Sequence, residues 1–391
     1  MNGGRPAATL AFDQVSKRYD ERQAAGRVAA VDDVSFTVPA GRICVLVGPS
    51  GCGKTTSLKM VNRLVEPTSG RILLDGVDVA GRDVVELRRG IGYVIQQVGL
   101  FPHLRVWENV ATVPRLLGWP AGRQRERSNE LLRLVGLDPA AYAMRFPAQL
   151  SGGERQRAGV ARALAADPPL MLMDEPFGAV DPVVRDRLQN EFLRIQERLA
   201  RTILFVTHDI DEAIKMGDLL AVMDGAGRLA QFGPPAEILA SPASEFVARF
   251  VGTDRGLKRL SLARVGDLAL APAPVHRIGA AAGAALADPR AREFGYVLLS
   301  DGDDRPIGWL ALDDIAPDDV LNAGHSSAAT PILEPETTLK DALALLIEAD
   351  SLAGIVVDRD GRVAGLLTAE MVIGWLRSER QPSGTPAGGA R

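Results

Sequence analysis

Residues 48–56 read Gly48-Pro49-Ser50-Gly51-Cys52-Gly53-Lys54-Thr55-Thr56, the spacing of a loop that wraps phosphate. Glycines let successive backbone N–H groups turn toward one anion, and a helix starting at the lysine adds its positive end. Lys54 would reach the β- and γ-phosphates of a nucleoside triphosphate, and the Thr55 hydroxyl would ligate Mg²⁺. Asp174 and Glu175 close a second apolar run. There Asp174 is placed to hold Mg²⁺, usually through water, and Glu175 to polarise an attacking water. Hydrolysis needs a positioned acceptor for that proton, and positioning with charge neutralisation carries most of phosphoryl transfer. His208 ends a third run, where it could contact the γ-phosphate. A lone histidine is more often a structural hydrogen-bonder, so only its companions give it weight.

A second glycine-rich turn, Leu150-Ser151-Gly152-Gly153-Glu154, opens another helical pattern. It has no lysine of its own. A chain that already carries a phosphate loop leaves open whose phosphate this turn touches.

Elements must hold these residues in place. "RICVLVG" (42–48), "PLMLMDEP" (169–176) and "TILFVTHD" (202–209) are short continuous apolar runs. Such runs fit strands buried on both faces of a mostly parallel sheet, and they are too short for buried helices. In such sheets chemistry collects at the carboxyl ends of the strands. Residues 103–165 read as a helical subdomain, and 231–252 as a turn with closing helices. The fold class is therefore α/β over about the first 250 residues.

From about 258 to 378 a weak internal repeat follows. "GYVLLSDGDDRPIGWLALDDI" (295–315) resembles "GIVVDRDGRVAGLLTAEMV" (354–372), each a β-hairpin with an Asp/Gly turn leading into a helix start. Before the second copy, Leu339, Leu343, Leu346 and Ile347 share one helical face, with Thr338 as its cap. The tail, 379–391, has a disordered composition.

Composition sets outer limits. At 391 residues the chain is long enough for two or three domains. Its 46% hydrophobic and 24% charged content is that of a soluble globular protein. A formal charge of −4 argues against a chain built mainly to grip nucleic acid. Cys44 and Cys52, in a strand and in the phosphate loop, suit neither a disulfide nor a metal site, which points to a reducing compartment. No stretch approaches the roughly 20 apolar residues of a membrane span, and the start lacks the apolar core of a signal peptide.

In order along the chain stand the phosphate loop, "YVIQQ", "LSGGE", "LMLMDE", "GAVD" and "VTHD". Together they resemble the ATP-binding cassette family over about residues 8–250. The resemblance implies a P-loop NTPase cassette, with a RecA-like core plus antiparallel β and helical subdomains, that binds ATP and Mg²⁺. It implies that Tyr19 stacks on adenine, that Gln96 touches Mg²⁺ and relays the state of the site, and that Asp181 lies in the loop crossing a dimer interface. His208 would be the switch histidine. In this family two cassettes pair head to tail, and each ATP lies between one phosphate loop and the other copy's signature turn. Ser151 and the amides of Gly152 and Gly153 then need no lysine, because the opposing chain supplies one. Glu154 stands where many members have glutamine.

The repeat resembles a tandem pair of CBS modules, an α+β regulatory domain. Domain bounds follow as 8–252 for the cassette, 256–378 for the CBS pair and 379–391 for the tail. A cassette followed by such a pair is similar to importers of glycine betaine, proline, carnitine and choline. The implied partners are a second cassette, transmembrane permease subunits that dock on 96–110 through Phe101, Pro102 and Leu104, and indirectly an extracytoplasmic substrate-binding protein. Nucleic acid is not among them. The expected site of work is the cytoplasmic face of the cell membrane, peripherally. Ala311 with Asp314 and Thr368 with Met371 each keep half of a mononucleotide-binding pattern. A cyclic dinucleotide, or an anionic membrane surface meeting Arg255, Lys258, Arg259 and Arg264, are the remaining regulators. An importer of another small solute, or an ATPase acting on ribosomes or nucleic acid, stands as the alternative function.

Overall fold

The computed structural model describes residues 6–19, 29–95, 99–178, 181–349, 351 and 353–378. Gln96 and the tail 379–391 lie outside them. The chain divides into two compact units between Gly252 and Thr253.

The first unit opens with an antiparallel pair, β1 (Leu10–Lys17) and β2 (Val31–Val38). β2 alternates buried with solvent-facing residues, as a sheet covered on one face requires. Phe12 stacks on Phe36 across the pair, with centroids 4.6 Å apart. β3 (Ile43–Val47), buried at every position, runs into the phosphate loop and α1 (Lys54–Val61). β4 (Ser69–Leu74) and β5 (Val77–Asp78) complete an antiparallel sheet in the order β2-β1-β4-β5. α2 (Val84–Arg89), capped by Asp83, leads into β6 (Ile91–Val94).

Helices then follow: α3 (Val106–Val110), α4 (Thr112–Leu116), α5 (Ala121–Leu134), α6 (Pro139–Tyr142) and α7 (Gly152–Leu164). α7 packs on α3, α5 and β6, burying Ala158, Ala161 and Leu164. The chain then alternates through β7 (Leu170–Asp174), α8 (Pro182–Leu199), β8 (Thr202–Thr207), α9 (Ile210–Met216) and β9 (Leu219–Met223). β10 (Leu229–Gly233), α10 (Pro235–Ala240) and α11 (Glu245–Val251) close the unit. The expected turn at Gln231 is instead an edge strand, with β10 antiparallel to β9.

The six-stranded sheet runs β10-β9-β3-β8-β7-β6, parallel from β9 to β6. Alternate residues of its strands enter opposite cores. Val45, Met171, Met173 and Phe205 pack on the helical side, while Cys44, Leu46, Leu172 and Leu204 pack toward the antiparallel sheet. Burial on both faces explains why these strands read as unbroken apolar runs.

The second unit contains α12 (Arg255–Leu260), β11 (Val275–Arg277), α13 (Ala282–Ala287), α14 (Pro289–Phe294), β12 (Tyr296–Ser300), β13 (Pro306–Ala311) and β14 (Ser327–Ala328). Then come β15 (Ile332–Leu333), α15 (Leu339–Glu348), β16 (Ala353–Val357), β17 (Val363–Thr368) and α16 (Ala369–Ser378). β11-β12-β13 and β15-β16-β17 share one topology, a parallel pair followed by an antiparallel hairpin. Even the hairpin turns match. Asp301 Oδ1 accepts from the amides of Asp303 and Arg305, and Asp358 Oδ1 from those of Asp360 and Arg362.

The copies diverge after the hairpins, where α16 follows the second and only a 3₁₀ turn, Leu312–Asp314, follows the first. Thr338 caps α15, its hydroxyl oxygen accepting from the Asp341 amide at 3.1 Å. Ile347 departs from the shared apolar face, being 72% exposed, while Leu339 and Leu346 are buried. The expected basic patch also breaks up. Arg259 is buried, its guanidinium carbon 5.4 Å from the Trp375 ring centroid, and Lys258 pairs with Asp254 at 3.1 Å. The alkyl stem and planar head of Arg259 favour the ring over water.

Phe205 is fully buried at the centre of β8, 6.0 Å between centroids from Phe177. Phe205→Ala should destabilise the first unit by about 3–5 kcal/mol. Urea unfolding followed by intrinsic fluorescence checks this, and a loss under about 1 kcal/mol would contradict so tight a core.

Candidate nucleotide site

Because β3, β8 and β7 are neighbours and parallel, their carboxyl ends meet. Val47 pairs with Thr207, and Val206 with Asp174. The phosphate loop, Glu175 and His208 each begin one or two residues beyond those pairs.

Backbone geometry builds the loop. Gly53 ends it at φ +91°, and a Cβ there would sit 2.0 Å from the Ala30 carbonyl oxygen. A Cβ at Gly48 would meet the Met223 oxygen at 2.4 Å. Gly51, at φ +83°, faces open space, and Ser50 beside it is exposed. Two glycines thus admit neighbouring backbone, and the third turns the open side of the loop.

Lys54 is buried, and its ammonium donates to the Gly48 and Pro49 carbonyls at 2.7 and 2.9 Å. It also lies 3.6 Å from Cys52 Sγ. Burial pushes the Cys52 thiol up, with the Lys54 charge opposing. Pro49, Thr55 and Thr56 are half-buried along the loop and first turn of α1. Both cysteines are free and buried.

Thr55 Oγ1 donates to Asp174 Oδ1 at 3.0 Å. Burial pushes the Asp174 carboxyl above the usual range; the Thr55 bond opposes this, and the Glu175 charge adds to it. Two hard oxygen ligands beside a buried ammonium would suit a triphosphate with a magnesium ion, which takes oxygen ligands. A cation there would also relieve the buried carboxylate.

Glu175 follows at φ +45°, its amide donating to Val206 O at 2.9 Å. Its Oε1 lies 3.1 Å from His208 Nδ1. A carboxylate oxygen accepts, which makes Nδ1 the donor when the two are hydrogen-bonded.

The signature residues form no separate turn. Ser151 caps α7, and Gly152 and Gly153 are already helical. Ser151 Oγ accepts from the Glu154 amide at 3.3 Å, and Glu154 Oε2 accepts from the Ser151 amide at 2.7 Å. This reciprocal pair satisfies two helix-end donors. The Tyr142 hydroxyl donates to the other carboxylate oxygen at 2.8 Å. Ser151 and Gly152 are exposed, and a Cβ at Gly152 would meet nothing within 4 Å.

One chain therefore brings together Lys54, Thr55, Asp174, Glu175 and His208. Among the described residues no hydrogen bond or ion pair joins Ser151–Glu154 to that cluster. Tyr19 is 55% exposed beyond β1, with Lys17 Nζ 5.1 Å from its ring centroid. Asp181 is exposed just ahead of α8.

Three contacts were not anticipated. The Ser151/Glu154 box was legible as Ser-x-x-Glu before an apolar run, whereas nothing local pointed to Tyr142. Asn109 is fully buried, its Oδ1 accepting from the Phe101 amide at 2.7 Å and its Nδ2 donating to the Phe101, Leu104 and Arg105 carbonyls. It thereby fixes the loop that presents Phe101 and Pro102 exposed and Leu104 half-buried.

Comparison with known proteins follows the same division. A family model described as ABC transporter matches residues 31–178, and a CBS domain model matches 329–378. The chain is 42% identical over 372 residues to the osmoprotectant import ATP-binding protein OsmV of Salmonella typhimurium, covering 95% of this chain and 97% of that protein. It is 53% identical over 246 residues to the glycine betaine/carnitine/choline transport ATP-binding protein OpuCA of Bacillus subtilis, 63% of each. A solved dimer of the ATP-binding cassette MJ0796 with ADP and Pi is 30% identical, with a TM-score of 0.51, covering 57% of this chain and 98% of that one.

The capping box carries a pH signature. The Ser151 amide holds the Glu154 carboxyl below its ordinary value. The ionised form thus contributes stability above the ordinary glutamate range, and that contribution is lost as pH falls through the lowered folded value. Glu154→Gln keeps an acceptor but removes the charge. Wild type should be the more stable of the two near neutrality, by a small margin for so solvated a group, and the gap should close on acidification. Urea unfolding at stepped pH checks this, and a pH-independent gap would contradict it.

Proposed function

Because the chain belongs to the family of ABC transporter ATP-binding proteins, we propose that it is the ATP-hydrolysing subunit of an importer for compatible solutes of the quaternary-amine kind. The observation that carries the substrate class is the reach of the likeness. It extends through both units to 97% of an osmoprotectant import ATP-binding protein.

In this reading each residue of the first unit has a task. Amides of Gly51, Cys52, Gly53, Lys54 and Thr55, with the Lys54 ammonium, take the β- and γ-phosphates, and Thr56 supports the turn behind them. Thr55 and Asp174 would hold a magnesium ion, which would supply the charge neutralisation that phosphoryl transfer needs. Glu175 accepts the proton of the attacking water, and His208, bonded to it at 3.1 Å, holds it on line and meets the γ-phosphate. Tyr19 stacks on the adenine. Gln96, outside the described residues, would contact the ion and relay its presence.

The open face of the site is completed by a second copy. Ser151, Gly152 and Gly153 of that copy present a hydroxyl and helix N-terminal amides, suited to an anion, and its Asp181 lies at the shared interface. Glu154 keeps the cap in shape. The loop held by Asn109 offers Phe101, Pro102 and Leu104 to a permease helix.

No helix among the described residues is long and apolar enough to cross a membrane. The proposed place of work is the cytoplasmic face of the membrane, with solute delivered by an extracytoplasmic binding protein. The cassette spans 8–252, and the repeat at 256–378 is a regulatory CBS pair.

Glu175→Gln should reduce ATP hydrolysis to near background while retaining ATP-dependent dimerisation, read by phosphate release and size-exclusion chromatography. Turnover like wild type would remove Glu175 as the base. The reconstituted importer should take up labelled choline or glycine betaine in an ATP-dependent way. Uptake of neither would refute the substrate class.

A further inference from the structure

The second unit has four aromatic residues, Phe294, Tyr296, Trp309 and Trp375. Trp375 is engaged with Arg259 and packs in the core beside Leu260 and Leu339. The other three line one cavity of about 390 Å³ that spans both repeats, with Ser327, Thr330 and Ser351 on its remaining wall. Phe294 and Trp309 pack against the apolar cluster that contains Leu298 and Ile355, and Tyr296 is 47% exposed at the rim. Packing alone would turn such rings inward against one another, because each buries a large apolar area. Here they surround space instead.

The chemistry of the wall selects its ligand. Among the described residues the lining holds no lysine, arginine, histidine, aspartate or glutamate. A phosphate-bearing ligand would find no counter-charge there. A quaternary ammonium needs none, for its methyl groups bury against apolar rings, its charge meets their negative faces, and it makes no hydrogen bonds. The Ser351 hydroxyl donates to Ala353 O at 2.8 Å and that of Ser327 to Trp309 O at 3.3 Å. Their oxygens therefore remain available as acceptors, which suits an alcohol O–H.

We propose that this cavity binds a quaternary ammonium alcohol, with choline as its simplest form, so that the regulatory unit reads the solute pool on the side where ATP is hydrolysed. The choice of ligand rests on the transport reading above, while the site rests on the cavity.

Choline, glycine betaine, AMP and 3,3-dimethylbutan-1-ol, the neutral carbon isostere of choline, are titrated into the full-length chain without membrane subunits. Tryptophan fluorescence and calorimetry read the binding. Choline should saturate one site per chain, glycine betaine should bind less tightly, and the neutral isostere should be weaker than choline by about tenfold or more. Trp309→Leu should lower choline affinity by about tenfold, with Trp309→Phe restoring part of it. Tyr296→Leu, at the exposed rim, should weaken binding even if the Trp309 variants fold poorly, and urea unfolding with far-ultraviolet circular dichroism like wild type certifies the fold of each variant.

Absence of choline binding, an isostere as tight as choline, affinity indifferent to both rings, or AMP binding more tightly than choline would each overturn the proposal. Uptake by the reconstituted importer is measured separately. A chain that transports choline without binding it here loses only this inference, and one that binds without transporting loses only the substrate reading.

Discussion

Thr55 Oγ1 donates to Asp174 Oδ1 at 3.0 Å, and this bond ties the start of α1 to the end of β7. Much of the first unit serves to keep that pair where it is. β3 and β7 are separated in the sheet by β8 alone, so the phosphate loop, the acidic pair and His208 converge without any long side chain reaching. Burial disfavours the Asp174 charge, and the hydroxyl and neighbouring ammonium only partly compensate. A strand end that tolerates a buried carboxylate in this way is prepared for a cation that the protein alone does not supply.

The same geometry leaves the site half-built. Lys54 lies inside the loop, and the open side, at Ser50 and Gly51, carries backbone donors without an opposing wall. In the proposed dimer the exposed N-terminus of α7 would be the complementary half, a helix end whose cap is consumed internally by Glu154. Its first-turn carboxylate would ordinarily compete with an approaching phosphate. Here both of its oxygens are occupied, by the Ser151 amide and the Tyr142 hydroxyl, which leaves the outer face to Ser151 and the glycine amides.

Legibility in the sequence followed the range of the cause. β3, β7 and β8 were readable because burial on both faces writes an unbroken apolar run, and the phosphate loop because glycine spacing is a local demand. The hairpin repeat was readable through its Asp turns. Contacts set by distant chain were not. Nothing near Gly53 announces the Ala30 carbonyl above it, nor does Asn109 declare that it anchors Phe101. Arg259 looked like part of a solvated basic run until its ring partner, more than a hundred residues away, was in view. Ile347 fitted the helical period yet fell outside the stripe that α15 buries. Convergence of three aromatic residues on one cavity was likewise invisible, since they come from separate elements with no shared period.

Each nucleotide site is proposed to be shared by two chains, and pairing two disabled variants checks this. Lys54→Ala removes the phosphate-loop cation, and Ser151→Arg blocks the signature helix, so each homodimer has both sites broken. In a mixed head-to-tail dimer one site receives both lesions and the other neither. ATP hydrolysis by the mixture should rise well above the sum of the separate variants. Activity that stays at that sum would place the whole site within one chain and contradict the account.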